Sequence, residues 1–337
     1  MQVLSDSCDY LVVGTGSISQ RHISNLRAIY PKSKIGNLST SGKPLKHENN
    51  KVDFNFKSIE EAASKTKMFA IIASPASIHL ENAEYFLNRN IPVLIEKPIT
   101  NDSKKLKKFY EKFKSKKNLI DVGYNYRFSS TLNTFKKFLS NKKKIGKILS
   151  INVNVGQHLS LWRKGKDYLE TVSAKESLGG GVLRELSHEL DYITWIFGKF
   201  DAVFCKSFNL NVLRIDVEES IDAIFFNKSG LSLNLHMDFL NSKLTRYCRV
   251  IGEKGTLEMD LINNSIFFSR LGDQTIEICE ERNENRNDMY IKLLKNFKKV
   301  SSKKQKPNIS PEDSIYLTSL IEIMKTSSKK NSLCKIK

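Results

Sequence analysis

The 337-residue sequence lacks any long hydrophobic run. No apolar stretch approaches the roughly 20 residues that a membrane-spanning helix needs. The segment Met1–Tyr10 carries two aspartates and no basic residue, so it does not have the pattern of a secretory signal. We therefore expect a cytoplasmic protein with no membrane contact.

Cysteine is also sparse. Five residues are scattered along the chain: Cys8, Cys205, Cys248, Cys279 and Cys334. No two of them have the spacing of metal ligands. The pattern is typical of reduced thiols in a cytoplasmic protein, and we expect no metal site.

Acidic residues are outnumbered, and the formal net charge is +19. A charge of this size at first suggests nucleic acid, but lysine dominates over arginine and no arginine–aromatic pattern interleaves with it. The largest lysine group surrounds Leu106, Phe109 and Phe113 on one predicted helix: Lys104, Lys105, Lys107, Lys108, Lys112, Lys114, Lys116 and Lys117. A solvated helix face is the favoured interpretation, and we expect no nucleic-acid partner. Such a field would also attract anionic substrates.

The sequence has a nucleotide-binding pattern near its start. The apolar run Tyr10–Val13 is followed by Gly14-Thr15-Gly16-Ser17-Ile18-Ser19, and apolar residues then recur at helical spacing to Ile29. A glycine turn between a strand and a helix suits a pyrophosphate at the helix N-terminus. Ser19 replaces the third glycine of the motif, which weakens the match.

Repetition of strand and helix strengthens this interpretation. Further buried runs occur at 69–73, 91–95 and 118–123, and helices are predicted at 76–87 and over the lysine-rich segment. Such alternation predicts right-handed crossovers and a parallel sheet of the Rossmann type.

The second strand bears on the choice of dinucleotide. An NAD site usually has an acidic residue there that holds the ribose 2′-hydroxyl. Residues 34–43 contain hydroxyl groups, among them Ser39 and Ser41, and lysines, but no acid. We therefore expect NADP as the preferred cofactor, with NAD as the alternative.

The run Ile91–Ile99 ends a buried strand with Glu96-Lys97-Pro98. Charged groups at the carboxyl end of a buried parallel strand lie where open α/β sheets bind ligands. A lysine is costly to bury there, which indicates a functional role.

The pattern changes after about residue 146. Residues 148–155 alternate in polarity as a half-exposed strand does, and strands are predicted at 202–207, 220–226, 231–238, 244–251 and 264–268. One helix, Val182–Phe197, follows Gly179-Gly180-Gly181. We expect a Rossmann dinucleotide-binding domain over 1–125 and, over 126–337, an α/β domain with a large, mostly antiparallel open sheet. Together these make an α/β plus α+β protein.

The motifs together resemble those of the Gfo/Idh/MocA oxidoreductases. The matching stretches occur in family order: Gly14–Ser19, Ser74-Pro75 with His79, Glu96-Lys97-Pro98, Gly123–Phe128, and Gly179–Gly181 through His188 and Asp191. The resemblance implies the two-domain fold and a homodimer or homotetramer formed through the C-terminal sheet.

The resemblance also implies site residues. Lys97 would lie beside the nicotinamide and the reacting hydroxyl, and His188 would act as acid or base, which its chemistry suits. The implied cofactor-binding residues are Gly14, Gly16, Ser17, Ile18, Ser74, Pro75, His79, Glu96, Lys97 and Asn125, to which the second strand adds Ser39 and Ser41. Arg127 is an implied substrate-binding residue.

One position departs from the family pattern. Many members have an aspartate four residues before the histidine, where this chain has Arg184, followed by Glu185. Either Glu185 takes the role of the aspartate, or the site is rebuilt around an arginine, which would suit a carboxylate or phosphate on the substrate. For Asp191, a simple helix ion pair is as good an interpretation as a site role.

The loop before the glycine triplet contains Trp162, Arg163 and Tyr168. Sugar sites need flat stacking surfaces and hydrogen-bonding groups, so these residues are substrate-binding candidates; packing of the loop is an equally good interpretation of each.

The expected function is an NAD(P)-dependent oxidoreductase that transfers a hydride between nicotinamide C4 and a hydroxyl or keto carbon of a sugar, cyclitol or nucleotide-linked sugar. The alternative is a catalytically inactive dinucleotide-binding sensor or regulatory protein.

Overall fold

The computed structural model describes residues 7–40, 42, 51–163, 165–278 and 283–336. It divides into two compact units. The first contains the chain up to Asn125 together with Asn287–Thr318, and the second contains Tyr126–Arg286 and the chain from Ser319. Our predicted second domain ran without interruption over 126–337, whereas Asn287–Thr318 packs with the first unit.

The first unit is built on a parallel sheet. Its strands are β1 (Cys8–Val13), β2 (Ile35–Leu38), β3 (Phe54–Phe56), β4 (Thr66–Ile72), β5 (Val93–Ile95) and β6 (Ile120–Val122). They lie in the order β3-β2-β1-β4-β5-β6, and each pairing is parallel. The order reverses between β1 and β4, which is where sheets of this kind bind ligands at the carboxyl ends of their strands.

In the described part of this unit, four α-helices lie between these strands. They are α1 (Ser17–Ile29), α2 (Ile59–Lys65), α3 (His79–Asn88) and α4 (Ser103–Lys112). The helix predicted at 76–87 begins as a 3₁₀ turn over Ala76–Ile78, and α3 follows. On α4 the apolar Leu106 and Phe109 are buried while Lys107 and Lys108 are exposed, as expected of a solvated lysine face.

The second unit contains a large mixed sheet. Its strands are β7 (Ile148–Gly156), β8 (Ala202–Phe208), β9 (Ser220–Phe226), β10 (Ser232–Asp238), β11 (Thr245–Gly252), β12 (Gly255–Asp260), β13 (Ser265–Ser269), β14 (Ile276–Glu277) and β15 (Cys334–Lys335). The order is β14-β13-β12-β11-β7-β10-β9-β8-β15. The pairing of β7 with β10 is parallel, and the other pairings are antiparallel. The predicted fold class is thus confirmed.

One face of this sheet is a core and the other is open. The core face carries Ile151 and Val153, which are at most 3% exposed, and α5 (Ser130–Ser140), α6 (Lys142–Ile145), α7 (Val182–Glu185) and α8 (Ser187–Phe197) belong to the same unit. The strand register places a set of half-exposed apolar side chains on the open face: Ile224, Phe226, Ile251 and Phe267.

The prediction of one continuous helix over Val182–Phe197 was wrong. Leu186, with φ −97° and ψ 22°, leaves the helical region and separates α7 from α8. Because of this break, residues 184 and 188 do not have the regular geometry of residues one helical turn apart.

The chain returns to the first unit through α9 (Arg286–Ser301) and the first part of α10 (Pro311–Lys330). Asn287 and Asn25 exchange amide hydrogen bonds of 2.8 and 3.1 Å. The carboxylate of Asp121 on β6 accepts the amide protons of Asn308 and Ile309 at 2.9 and 3.1 Å. The returning segment is therefore an integral part of the parallel-sheet unit.

No helix in the described part of the chain is both long and apolar enough to cross a bilayer. Within those same residues, no three His, Cys, Asp or Glu side chains are grouped so that they could hold a metal ion.

Candidate functional site

The glycine turn follows β1 as predicted. Gly14 has φ +120°, which L side chains rarely adopt, and a Cβ on it would lie 2.4 Å from the carbonyl oxygen of Ala73. Its amide donates to Leu38 O at 2.7 Å. Gly14 therefore lets β1 turn tightly where β1, β2 and β4 end together.

Ser19 explains the departure from the three-glycine motif. Its side chain is fully buried, and Oγ donates to Ala73 O at 3.2 Å. The hydroxyl thus bonds the carbonyl that Gly14 approaches, so a serine holds α1 close to β4 where the motif has a glycine.

The N-terminus of α1 fits a dinucleotide phosphate. Gly16 is the N-cap, no side chain caps the helix, and the first turn contains no acidic residue. A Cβ on Gly16 would meet no atom of the described residues within 4 Å. The amides of the first turn, which begins with Ser17 and Ile18, are therefore accessible to an anion at the positive end of the helix.

The end of β2 carries an amide rather than an acid. Asn37 is buried, and its Nδ2 donates to Val12 O and to Gly14 O, both at 2.8 Å. Asn37 therefore supports the glycine turn. Ser39 follows β2 and is partly exposed. Ser41, the other predicted hydroxyl, lies outside the described residues.

The end of β4 is tied to the end of β5 through a histidine. His79 is buried at the start of α3, with Nε2 2.6 Å from Ser74 O and Nδ1 3.1 Å from Pro98 O. Burial lowers the pKa of His79, whereas the contacts with the two carbonyls raise it in part. Ser74 Oγ accepts from Asn82, and Pro75 begins the 3₁₀ turn. His79 therefore supports the two loops from inside the unit.

The Glu96-Lys97 pair follows β5. Glu96 is 6% exposed, and its carboxylate accepts from Nε2 of His22 at 2.7 Å and from the Lys97 amide at 3.2 Å. Lys97 is partly exposed. The two side chains thus differ in environment: the acid is directed into the unit, and the lysine is accessible from outside.

Asn125 ends the first unit. It is 1% exposed, and its Oδ1 accepts no hydrogen bond among the described residues. A buried acceptor of this kind is costly unless a donor meets it, so Asn125 suits a ligand that presents an N–H or O–H group.

In the second unit Arg127 and Asp191 form a buried ion pair. Nη2 of Arg127 lies 2.7 Å from Oδ1 of Asp191, and Nε lies 3.1 Å from both carboxylate oxygens. The ring of Trp195 lies near two cations, with Lys136 Nζ 3.6 Å and Arg127 Cζ 5.5 Å from its centroid. Burial and the charge of Arg127 lower the pKa of Lys136.

His188 lies beside this cluster, on α8. Its ring meets the ring of Tyr126 edge-on at a centroid distance of 4.9 Å, and it is 8% exposed. The Tyr126 hydroxyl is bonded by Arg246 of β11, whose Nε is 2.7 Å from the buried carboxylate of Glu189. Arg246 and Tyr126 therefore connect the carboxylate of Glu189 to the ring of His188.

Arg184 and Glu185 lie on α7, before the break at Leu186, whereas His188 lies on α8. Arg184 adds to the positive charge around Lys325, whose pKa is lowered chiefly by burial. Glu218 lies 4.0 Å from Lys325 and accepts the Leu183 amide at 3.2 Å, so it holds the start of α7. Glu185 is partly exposed on α7. The structure brings Tyr126 to His188 and places the Arg184 charge near α10.

The aromatic candidates of the preceding loop are engaged within the second unit. Trp162 packs edge-on against Phe239 at 5.1 Å, and its Nε1 donates to Gln157 O at 3.1 Å. Tyr168 donates its hydroxyl proton to Leu213 O at 3.2 Å. These contacts are those of a packed loop. Arg163 is partly exposed, and its carbonyl accepts the Lys166 amide at 3.3 Å.

Several residues in contact with the candidate site residues were not predicted from the sequence: His22, Tyr126, Lys136, Glu189, Trp195 and Arg246. Tyr126 lies within the motif Gly123–Phe128, and Glu189 is next to His188. A local sequence signal therefore exists for both residues. Arg246 meets Tyr126 across 120 residues, and no local signal predicts that contact.

Two family models match the chain. One, described as an oxidoreductase family with an NAD-binding Rossmann fold, matches residues 8–124, and the corresponding Gfo/Idh/MocA C-terminal domain matches residues 135–258. Levoglucosan dehydrogenase from Pseudarthrobacter phenanthrenivorans is 28% identical over 134 residues, which is 39% of this chain. The aligned segment spans only 33% of that relative.

Solved structures share the fold over almost the whole chain. Levoglucosan dehydrogenase in complex with NADH superposes with a TM-score of 0.84 at 16% identity, covering 98% of this chain and 100% of that one. Scyllo-inositol dehydrogenase from Lactobacillus casei, with bound NAD(H) and scyllo-inositol, gives 0.80 at 19% identity, covering 98% and 99%. At 16% and 19% sequence identity, this structural similarity establishes the fold alone.

Proposed function

The chain belongs to the Gfo/Idh/MocA oxidoreductase family, and from that premise we propose that it is an NAD(P)-dependent dehydrogenase or reductase acting on a hydroxyl or keto carbon of a sugar, cyclitol or nucleotide-linked sugar. The observation that carries the proposal is the turn at Gly14 and Gly16. It leads into an α1 N-terminus with no side-chain cap and with open space above Gly16.

NADP is the proposed preferred cofactor. No carboxylate occurs in the described residues 35–40 at the end of β2, where an NAD site usually holds the ribose 2′-hydroxyl. Ser39 is partly exposed there, and a serine hydroxyl is a group that can donate to a 2′-phosphate. The related structures named above hold NADH, so the preference requires a direct comparison of NADPH with NADH by fluorescence titration. Tighter binding of NADH would contradict it.

The nicotinamide supplies or accepts the hydride when bound. Within the chain, we propose that Lys97 binds the reacting oxygen and that His188 exchanges its proton, with Tyr126 fixing the plane of the imidazole through the edge-on contact at 4.9 Å. Asn125 and the first-turn amides of α1 would hold the cofactor.

The substrate class follows from chemistry near His188 and from relatives. Arg127, Lys136 and Asp191 around Trp195 combine two cations with one carboxylate, so the cluster retains a positive charge. That charge suits a sugar with an anionic group, and the sugar and cyclitol dehydrogenases among the relatives support the carbohydrate class.

The test is a panel of neutral and anionic sugars and cyclitols, assayed with NADPH or NADP for substrate-dependent change in absorbance at 340 nm. Lys97→Ala should abolish turnover while dinucleotide binding remains within about twofold of the wild type. Retention of most activity in that variant would show that Lys97 does not have the proposed role.

A sensor without catalysis is the second candidate. The observation that favours it is Arg184, which occupies the position of the usual aspartate and lies near Lys325. A sensor binds the dinucleotide but gives no absorbance change with any member of the panel. Turnover with one sugar decides for the enzyme.

We further propose that the open face of the second sheet packs against a second copy of the chain. Ile224, Phe226, Ile251 and Phe267 lie on that face and are each 37–39% exposed. Sedimentation velocity should show a dimer or tetramer, and Phe267→Lys should shift it towards the monomer. A monomeric wild type would contradict this assignment.

A further inference from the structure

His22 and Glu96 form a buried pair in the first unit. The His22 side chain is 0% exposed and that of Glu96 is 8% exposed, with Nε2 and Oε1 2.7 Å apart. A carboxylate can only accept, so Nε2 of His22 is the donor. The edge of the Tyr290 ring, on α9, lies against the imidazole at a centroid distance of 6.1 Å. The pair is therefore enclosed by α1, β5 and α9.

The second carboxylate oxygen of Glu96 is used as well. Oε2 accepts the amide proton of Lys97 at 3.2 Å. One residue earlier, the Glu96 amide still makes a hydrogen bond to the neighbouring strand, since it donates to Ile72 O at 2.9 Å. The Glu96 side chain thus replaces the missing strand partner for the first amide beyond the sheet.

Gly123 creates the space for this arrangement. A Cβ on Gly123 would lie 2.9 Å from Oε1 of Glu96, closer than such contacts allow. The carboxylate therefore occupies a volume that the neighbouring strand leaves free. Lys97, the next residue, lies in the bend that follows the strand and is partly exposed.

We propose that His22 and Glu96 are positioning residues for Lys97. His22 holds the Glu96 carboxylate inward, where it fixes the Lys97 amide and is kept from forming an ion pair with the Lys97 ammonium. It follows that Glu96 is not a cofactor ligand, in contrast to what the family resemblance implied. The importance of this arrangement rests on the proposed function, in which Lys97 binds the reacting oxygen.

The test measures the Lys97 amine and needs no substrate. The folded protein is labelled with a trace of acetic anhydride at pH 8, and the acetylation rate of Lys97 is measured by mass spectrometry relative to exposed Lys107. In His22→Ala the released carboxylate pairs with Lys97, and we expect its relative rate to fall about tenfold, because a nearby opposite charge favours the ammonium form. His22→Gln retains a donor and should stay within about twofold of the wild type.

The double variant His22→Ala/Glu96→Gln separates positioning from general structural damage. Without the carboxylate charge there is no ion pair, so the relative rate should return to within about twofold of the wild type. If His22→Ala does not fold, His22→Asn, whose amide is too short to reach Glu96, takes its place. An unchanged Lys97 rate in the folded single variant, or no recovery in the double variant, would overturn the proposal.

A binding measurement tests the statement about the cofactor. Glu96→Gln should bind NADPH within about twofold of the wild type, since neither carboxylate oxygen is directed outward. A tenfold loss of affinity would make Glu96 a cofactor ligand and overturn the proposal. Failure of the wild type to bind any dinucleotide would instead contradict the proposed function and would leave the acetylation result interpretable.

Discussion

Arg127 and Asp191 form the most enclosed ion pair of the second unit's candidate site, with a distance of 2.7 Å between Nη2 and Oδ1 and side-chain exposures of 4% and 0%. The carboxylate also accepts from Nε, so it is bound by the Nε–Nη2 edge of the guanidinium. Both side chains lie within the second unit, on segments separated by 64 residues.

Removing one member of this pair should destabilise the protein strongly. Asp191→Ala leaves a buried guanidinium without its counter-charge, and we expect a loss of about 3–5 kcal/mol in the free energy of unfolding. Urea denaturation measures it. The matched control is Glu170→Ala, since Glu170 pairs with Lys175 at 3.2 Å but is 77% exposed. That variant should change the stability by less than about 1 kcal/mol. Equal losses in the free energy of unfolding would contradict a larger stabilisation by the buried pair.

The two glycines of the turn should respond differently to alanine. Gly14→Ala forces φ +120° on an L residue and a contact with Ala73 O, so we expect a destabilisation of about 2 kcal/mol or more. Gly16→Ala has φ −69° and free space, so its stability should stay within about 1 kcal/mol. Its methyl group occupies the space proposed for the phosphate, and NADPH binding should weaken at least about tenfold. Thermal unfolding and fluorescence titration together distinguish the two effects.

A carboxylate at position 39 should reverse the cofactor preference. Ser39→Asp places a negative charge at the end of β2, where it repels a 2′-phosphate and can accept from a ribose hydroxyl. We expect the ratio of NADH to NADPH affinity to rise at least about tenfold, which corresponds to about 1.4 kcal/mol. Ser33→Asp adds the same charge before β2 begins and should leave the ratio unchanged. A similar change in both variants would indicate a general charge effect.

His236 should make stability depend on pH above neutrality. Hydrogen bonding to Asp238, opposed in part by burial, and a second bond to Asp222 raise the pKa of His236 to about 9. The protonated ring is therefore favoured by folding. Its contribution is complete below the ordinary histidine pKa of about 6.5 and is lost as pH rises towards 9. The melting temperature of His236→Gln should lie below that of the wild type at pH 6, and the difference should shrink by pH 10. A constant difference would contradict the assignment.

Local patterns predicted much of the first unit. The glycine turn, the buried strands and the lysine-rich helix are each encoded within a dozen residues, and the structure has them at β1, β4, β5 and α4. The repeat of strand and helix was sufficient to predict the parallel sheet. Interactions between residues close in the sequence are the ones that a single sequence predicts best.

The contacts that complete the site depend on tertiary packing. Arg246 reaches Tyr126 from a distant strand, and His22 reaches Glu96 from a different helix. Nothing within a short window of sequence distinguishes these side chains from other charged or polar ones. The break at Leu186 has the same origin: the apolar periodicity continues through it, and the backbone angle that separates α7 from α8 leaves no trace in the residue types.

The Arg184 position shows the limit of reasoning from helical spacing. A regular helix would have placed it one turn from His188, where an arginine could bind an anionic substrate. The break removes that regular spacing. The charge of Arg184 acts on Lys325, and the ring of Tyr126 meets the His188 ring edge-on.

Asp121 carries a consequence for synthesis on the ribosome. This buried carboxylate on β6 receives amide protons from Asn308 and Ile309, which are translated long after β6 itself. Before these residues are synthesised, the carboxylate at the edge of the nucleotide-binding sheet keeps the Val122 amide as a donor but lacks the two amides of Asn308 and Ile309, while the whole second sheet except β15 is already available to fold. The nascent protein should mature in the reverse of its sequence order, and the nucleotide-binding unit, although it begins first, should become stable last.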